Sequence, residues 1–122
     1  MATEASLPNR IYLVPRRWPR YKLAVPIRLI ARKDDRTSIV PGRGNELNEG
    51  GMEVYGGMEL AIDEKIAIEF TPPYTGQPIR ARACVRNRRG YTYGVEFLLE
   101  NEDDTENVAQ LWATLSALGS HM

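Results

Sequence analysis

The sequence predicts a mainly β fold: a six-stranded antiparallel barrel closed by one C-terminal α-helix and preceded by a basic N-terminal arm. Short runs of β-branched, aliphatic and aromatic residues recur between Gly, Pro, Asn and Asp punctuation, and the one amphipathic helical pattern comes last. Strands with no helices between them favour antiparallel pairing over a parallel α/β sheet. A length of 122 residues fits one domain with one core. Its expected bounds are residues 15–118, after a flexible segment 1–14. The last four residues, Gly119-Ser120-His121-Met122, read as a leftover of cloning.

The arm, Arg10 to Pro19, holds Pro15 and Pro19 among basic residues and is expected to be extended or turning, not helical. The first strand is Tyr21–Ala31, where Pro26 points to an edge or a bulge. Lys33–Thr37 is charged and polar and reads as a loop, with Ile39–Leu47 as a second strand. The turn Asn48-Glu49-Gly50-Gly51 leads into the alternating runs Met52–Tyr55 and Lys65–Phe70. The clearest alternation is Ile79–Asn87: Ile79, Ala81, Ala83 and Val85 share one face, and Arg80, Arg82, Cys84 and Arg86 the other. A turn at Arg88-Arg89-Gly90 then joins the sixth strand, Tyr91–Leu99. Beyond it Val108, Leu111, Trp112, Leu115 and Leu118 fall on one helical face, with Asp103 and Glu106 spaced as a capping box. The stripe is expected to cover the open side of the barrel, with dimerisation as the alternative.

Composition narrows the function. No apolar run reaches the roughly 18–20 residues of a membrane span and the first residues lack a signal-peptide core, so a cytoplasmic protein without membrane insertion is expected. The one cysteine, Cys84, reads as a small core or half-exposed strand residue, and the one histidine is His121. Zinc clusters and histidine-dependent catalysis therefore drop out, and the chain is not expected to be an enzyme. Carboxylate pairs such as Asp63-Glu64 and Asp103-Asp104 adjoin turns or a helix start, where capping and solvation explain them. Net charge is zero but uneven: residues 1–44 carry ten Lys/Arg against three Asp/Glu, and residues 45–122 six against thirteen. The basic half meets either the acidic half or an anionic partner.

Two motifs carry chemistry. Arg16-Arg17-Trp18-Pro19-Arg20 sets Arg16 and Arg20 four positions apart just before the first strand. A guanidinium is a rigid fork that grips phosphate oxygens or the O6/N7 edge of guanine. Later comes Glu46-Leu47-Asn48-Glu49-Gly50-Gly51. There a carboxylate accepts from guanine N1 and N2, an Asn amide donates or accepts, and glycines let backbone approach closely. Taken singly, a solvated basic segment and an Asx-capped turn are the better explanations of these pieces.

Together, in this order and spacing, they resemble the PilZ family, whose members bind the bacterial second messenger cyclic di-GMP. That family carries R-x-x-x-R in an N-terminal arm and [D/N]-x-S-x-x-G in the barrel. Arg16 and Arg20 match the first, and the hexad Glu46–Gly51 lies where the second belongs. Gly94-Val95-Glu96-Phe97 is similar to the family's last strand. Two positions depart from the pattern: Glu46 stands for Asp or Asn, keeping acceptor chemistry with longer reach, and Asn48 stands for Ser, keeping hydrogen bonding in a bulkier planar form. A register starting at Asn45 restores the first position but puts Leu47 at the third; the register from Glu46 keeps Gly51 beside Met52.

The resemblance implies a PilZ-type β-barrel that binds cyclic di-GMP, commonly as an intercalated dimer, with no further cofactor and no metal. It implies Arg16, Arg17 and Arg20 on phosphates and guanine edges, with Glu46, Asn48, Gly50 and Gly51 around a guanine. Ordering of the arm would then signal to a downstream protein. Two alternatives stand beside it. One is a degenerate PilZ fold that binds no nucleotide and works through protein contacts. The other is a small nucleic-acid-binding barrel using Arg80, Arg82, Arg86, Arg88 and Arg89 near Tyr91 and Tyr93; zero net charge and an acidic second half speak against it, and no nucleic acid is expected.

Overall fold

The computed structural model describes residues 20–74 and 76–121. The elements are β1 (Tyr21–Lys33), β2 (Arg36–Leu47), β3 (Gly51–Gly56), β4 (Lys65–Phe70), β5 (Ile79–Arg89), β6 (Thr92–Phe97), α1 (Glu102–Leu118) and a short β7 (Ser120–His121). The sheet runs β2-β3-β6-β5-β4-β1, and a further β1–β2 pairing closes it into a six-stranded antiparallel barrel. Closure pairs both sides of the strands and leaves the barrel no open edge.

Alternation drives the packing. Ile79, Ala81, Ala83 and Val85 of β5 turn inward beside Leu23, Ile27 and Leu29 of β1, and all are buried. Pro26 lies between an irregularity at Lys22/Val25 and the start of β4 pairing at Arg28, so its missing N–H costs no bond on the β4 side. Val108, Leu111 and Leu115 of α1 join the same core, so the helix closes the barrel's open end as expected; Leu118 remains exposed. Tyr93, fully buried, donates its hydroxyl to Met58 O at 2.8 Å and accepts from Leu60 N at 3.0 Å, pinning the β3–β4 connection.

Three expectations about boundaries are corrected. The segment 33–37 is no loop: β1 and β2 meet in a turn of only Asp34 and Asp35, with φ of 49° and 64°. Positive φ at both positions matches the right-handed twist of a tight hairpin, which Asp tolerates. The β5–β6 turn is Gly90 and Tyr91, with Gly90 at φ 62°, so Arg88 and Arg89 belong to the strand. The helix is capped by Asn101, whose side chain accepts from Asp104 N at 2.8 Å. Asp104 instead holds the helix to the barrel, accepting from Glu100 N at 3.0 Å and from Arg82 on β5 at 2.6 and 2.9 Å. Past the helix, Ser120 and His121 pair with Lys22 and Tyr21.

Candidate ligand-binding groove

Two bulges build the site. On β2 the register shifts between Gly44, opposite Val54, and Glu46, opposite Glu53. Asn45 is thus the extra residue, and it turns Glu46 to the outer face where plain alternation would bury it. On β5 the register shifts between Val85, opposite Val95, and Asn87, opposite Gly94. Arg86 is the extra residue there, and Asn87 joins it on the outer face. Lys22, Glu46, Glu53, Gly94 and Asn87 therefore form one row across β1, β2, β3, β6 and β5.

Four members of the row, Glu46, Glu53, Gly94 and Asn87, line a groove of about 560 Å³. Of the residues singled out in the sequence, Arg20, Glu46, Asn48, Gly50 and Gly51 line it; Arg16 and Arg17 lie outside the described residues. Sequence reasoning missed Glu53 and Asn87, and did not assign Arg86, Arg89, Gly94 and Glu96 to this site, yet all six line it. Their signal was the alternation of β3, β5 and β6, but only the cross-strand register unites them.

Each groove arginine holds a carboxylate. Arg20 donates Nε to Glu46 Oε2 at 2.7 Å and pairs through Nη2 with the same oxygen. Arg89 reaches Glu53 at 3.0 Å, and Arg86 donates to Glu96 at 2.7 Å and to Asp63 at 3.0 Å. The hydrogen bond to Glu96 contributes most to raising the Arg86 guanidinium pKa above its ordinary value. Three arginines facing three glutamates and Asp63 leave no excess of positive charge. An anion entering here must exchange with a carboxylate rather than fill a bare cationic pocket. The arginines weighed for nucleic-acid binding are paired as well: Arg80 with Glu69, Arg82 with Asp104 and Glu100, Arg88 with Glu59.

The turn at 48–51 is held from three directions. Asn48 Oδ1 accepts from Gly50 N at 3.1 Å, Asn48 N donates to Gly51 O at 3.0 Å, and Phe97 N donates to Gly50 O at 2.8 Å. Trp112 of α1 donates its indole N–H to Asn48 O at 2.7 Å. Gly50 has open space where a side chain would stand, which bares backbone at the rim, whereas Gly51 packs directly on the backbone of Val95.

A closed six-stranded barrel with a helix across one end, carrying an arginine–carboxylate groove beside a glycine turn, defines a small β-barrel domain with one polar surface groove. The sequence profile described as PilZ domain matches residues 15–113. The chain belongs to the PilZ domain family. Among solved structures, the PilZ domain of CeSA from a cellulose-synthesizing bacterium is similar at 19% identity and a TM-score of 0.64, covering 80% of this chain and 97% of that one. The PilZ domain of YcgR from Escherichia coli, solved with c-di-GMP, is similar at 18% identity and a TM-score of 0.60, covering 85% and 93%. No curated protein matches the sequence significantly. Among the described residues no helix is long and apolar enough to cross a membrane, and no cluster of side chains is suited to hold a metal ion.

Proposed function

We propose that the groove binds cyclic di-GMP and that the chain is a receptor domain passing the state of this messenger to a partner protein. One observation carries the reading: Arg20 and Glu46, 26 residues apart in sequence and matched to the two family motifs, are bonded to each other in the lining of one groove. The c-di-GMP bound by the YcgR domain supports the choice of ligand.

Binding is an exchange of partners. A ligand phosphate or guanine O6/N7 edge takes the Arg20 guanidinium, and Glu46, released, accepts from guanine N1–H and N2–H. One ion pair is replaced by two sets of charge-assisted hydrogen bonds, and the base supplies the donors that keep Glu46 from being left unpaired. Asn48 and the bare backbone at Gly50 border the base, and Arg16 and Arg17 act on the phosphates from the arm. Two intercalated ligands would stack over the row from Glu46 to Asn87. Arm closure is the conformational output, a population shift that a partner reads.

Calorimetric titration of cyclic di-GMP into the full chain, beside Arg20→Ala and Arg16→Ala, tests this. Micromolar binding weakened at least about tenfold by either substitution is expected, the scale of a lost charge-assisted hydrogen bond. A second reading, a PilZ fold that binds no nucleotide, is favoured by the charge balance of the groove. Absence of heat from the intact chain at high micromolar ligand would establish that reading instead.

A further inference from the structure

We propose that a second groove, between α1 and the β2–β3 turn, is the docking seat of this chain's own segment Ile11–Val14. This groove, about 410 Å³, is lined by Val108, Ala109, Trp112 and Ala113 of α1, by Leu99 and by Glu49. Its apolar wall is open: Leu99 is 63% exposed, and Ala109 and Ala113 are exposed as well. A concave apolar surface of this kind marks a binding site more often than bare exposure does.

Charge and tether select the occupant. Helix α1 carries the exposed acids Glu102, Asp103 and Glu106 and no Lys or Arg, and Glu49 adds a further carboxylate at the groove. Residues 10–17 read Arg-Ile-Tyr-Leu-Val-Pro-Arg-Arg, five apolar or aromatic residues between basic ones and no acid. The two are complementary in hydropathy and in sign. The described chain begins beside the groove, because the ring of Tyr21 stands edge-on to Trp112, centroids 5.6 Å apart. Val14 lies seven residues before Tyr21, a reach of up to about 25 Å when extended. The groove runs from Trp112 to Thr105, only about 10 Å of helix. A tethered segment also acts at millimolar effective concentration, well above what a second copy offers at ordinary protein concentrations. Docked there, Ile11–Val14 keeps Arg16 and Arg17 near the first groove and orders the arm before any anion arrives.

NMR of the full, ligand-free chain tests the docking, and because no nucleotide is added its result is separate from that of the cyclic di-GMP reading. Cross-peaks are expected between methyls of Ile11, Leu13 or Val14 and the Ala109 methyl or Trp112 ring, within one molecule. Leu13→Asp on the segment and Ala109→Glu on the exposed helix face should each abolish them while helix content and Tm hold. Their absence from the wild-type chain, their survival in both variants, or their appearance only between differently labelled molecules would overturn the proposal; the last result would assign the groove to a second copy.

Discussion

The indole N–H of Trp112 donates to the carbonyl of Asn48 at 2.7 Å across 64 residues of sequence, and the same ring packs against Tyr21, the residue after Arg20. One helix side chain thus bonds a site residue, Asn48, and packs against the chain neighbour of another, Arg20. Trp112→Phe keeps the aromatic packing and removes the donor, leaving a part-buried carbonyl to water. It should lower stability by about 1 kcal/mol, the usual worth of one hydrogen bond, as measured by urea unfolding. Amide shifts of Asn48 to Gly51 should move with it. An unchanged loop spectrum would mean that the helix does not set the turn.

Glu46→Gln separates two roles of one carboxylate. If Glu46 accepts from guanine, the amide retains one acceptor oxygen but loses its charge, and affinity for cyclic di-GMP should fall about tenfold. Discrimination against the adenine analogue should narrow in parallel. Tighter binding would mean that Glu46 only restrains Arg20. Folding stability should change by less than about 1 kcal/mol, since the pair is partly exposed and screened. Titration of both nucleotides beside a denaturation curve reads all three quantities.

Much of this was legible because it rests on period and order. The two faces of Ile79–Val85 and the stripe Val108, Leu111, Leu115 announced themselves, and Arg20 and Glu46 were found through motif order before any contact was known. Polarity misled at Lys33–Thr37, since the hairpin tip stands in solvent whether it is strand or loop. Asn101 was passed over as cap because three acids follow it in the first turn. The far wall of the groove was hidden for a different reason. Bulges at Asn45 and Arg86 break the alternation by one residue, and a one-residue slip inverts which side chains face outward.

Glu69 is, with Asp104, one of the two buried carboxylates among the described residues. It sits on β4 directly opposite Arg28 of β1 and Arg80 of β5, only 5% exposed, and accepts from both at 2.7 to 2.9 Å. The Arg80 hydrogen bond first, then that of Arg28, outweigh burial and hold its pKa below the ordinary 4.5. Asp104 and Glu100 are lowered chiefly by Arg82. In each case the native state binds its proton less readily than the unfolded chain. The resulting stability is complete above the unfolded values and is lost as pH falls through the folded ones. Unfolding midpoints should therefore drop as pH falls below about 5. Glu69→Gln should shrink that drop and cost about 1–3 kcal/mol at neutral pH, both arginines being able to reach solvent.

Two glycines of the groove should answer the same substitution in opposite ways. A Cβ on Gly51 would stand 2.9 Å from the carbonyl carbon of Val95, and closer still to its oxygen. That neighbour is backbone of the β3–β6 ladder, where Gly51 lies opposite Glu96, and it cannot retreat without parting the strands. Gly51→Ala should cost about 1–3 kcal/mol, as overpacking does. A Cβ on Gly94 would first meet the side-chain amide of Asn87, at 2.6 Å. Asn87 is exposed and free to swing aside, so Gly94→Ala should change stability by less than about 1 kcal/mol. The displaced amide must then go into the groove, above the row that a bound guanine would cover, so ligand affinity should fall while the fold persists. Thermal unfolding beside a cyclic di-GMP titration separates the two. Equal loss of stability at both positions would mean that Asn87 is fixed in place rather than mobile on the groove floor.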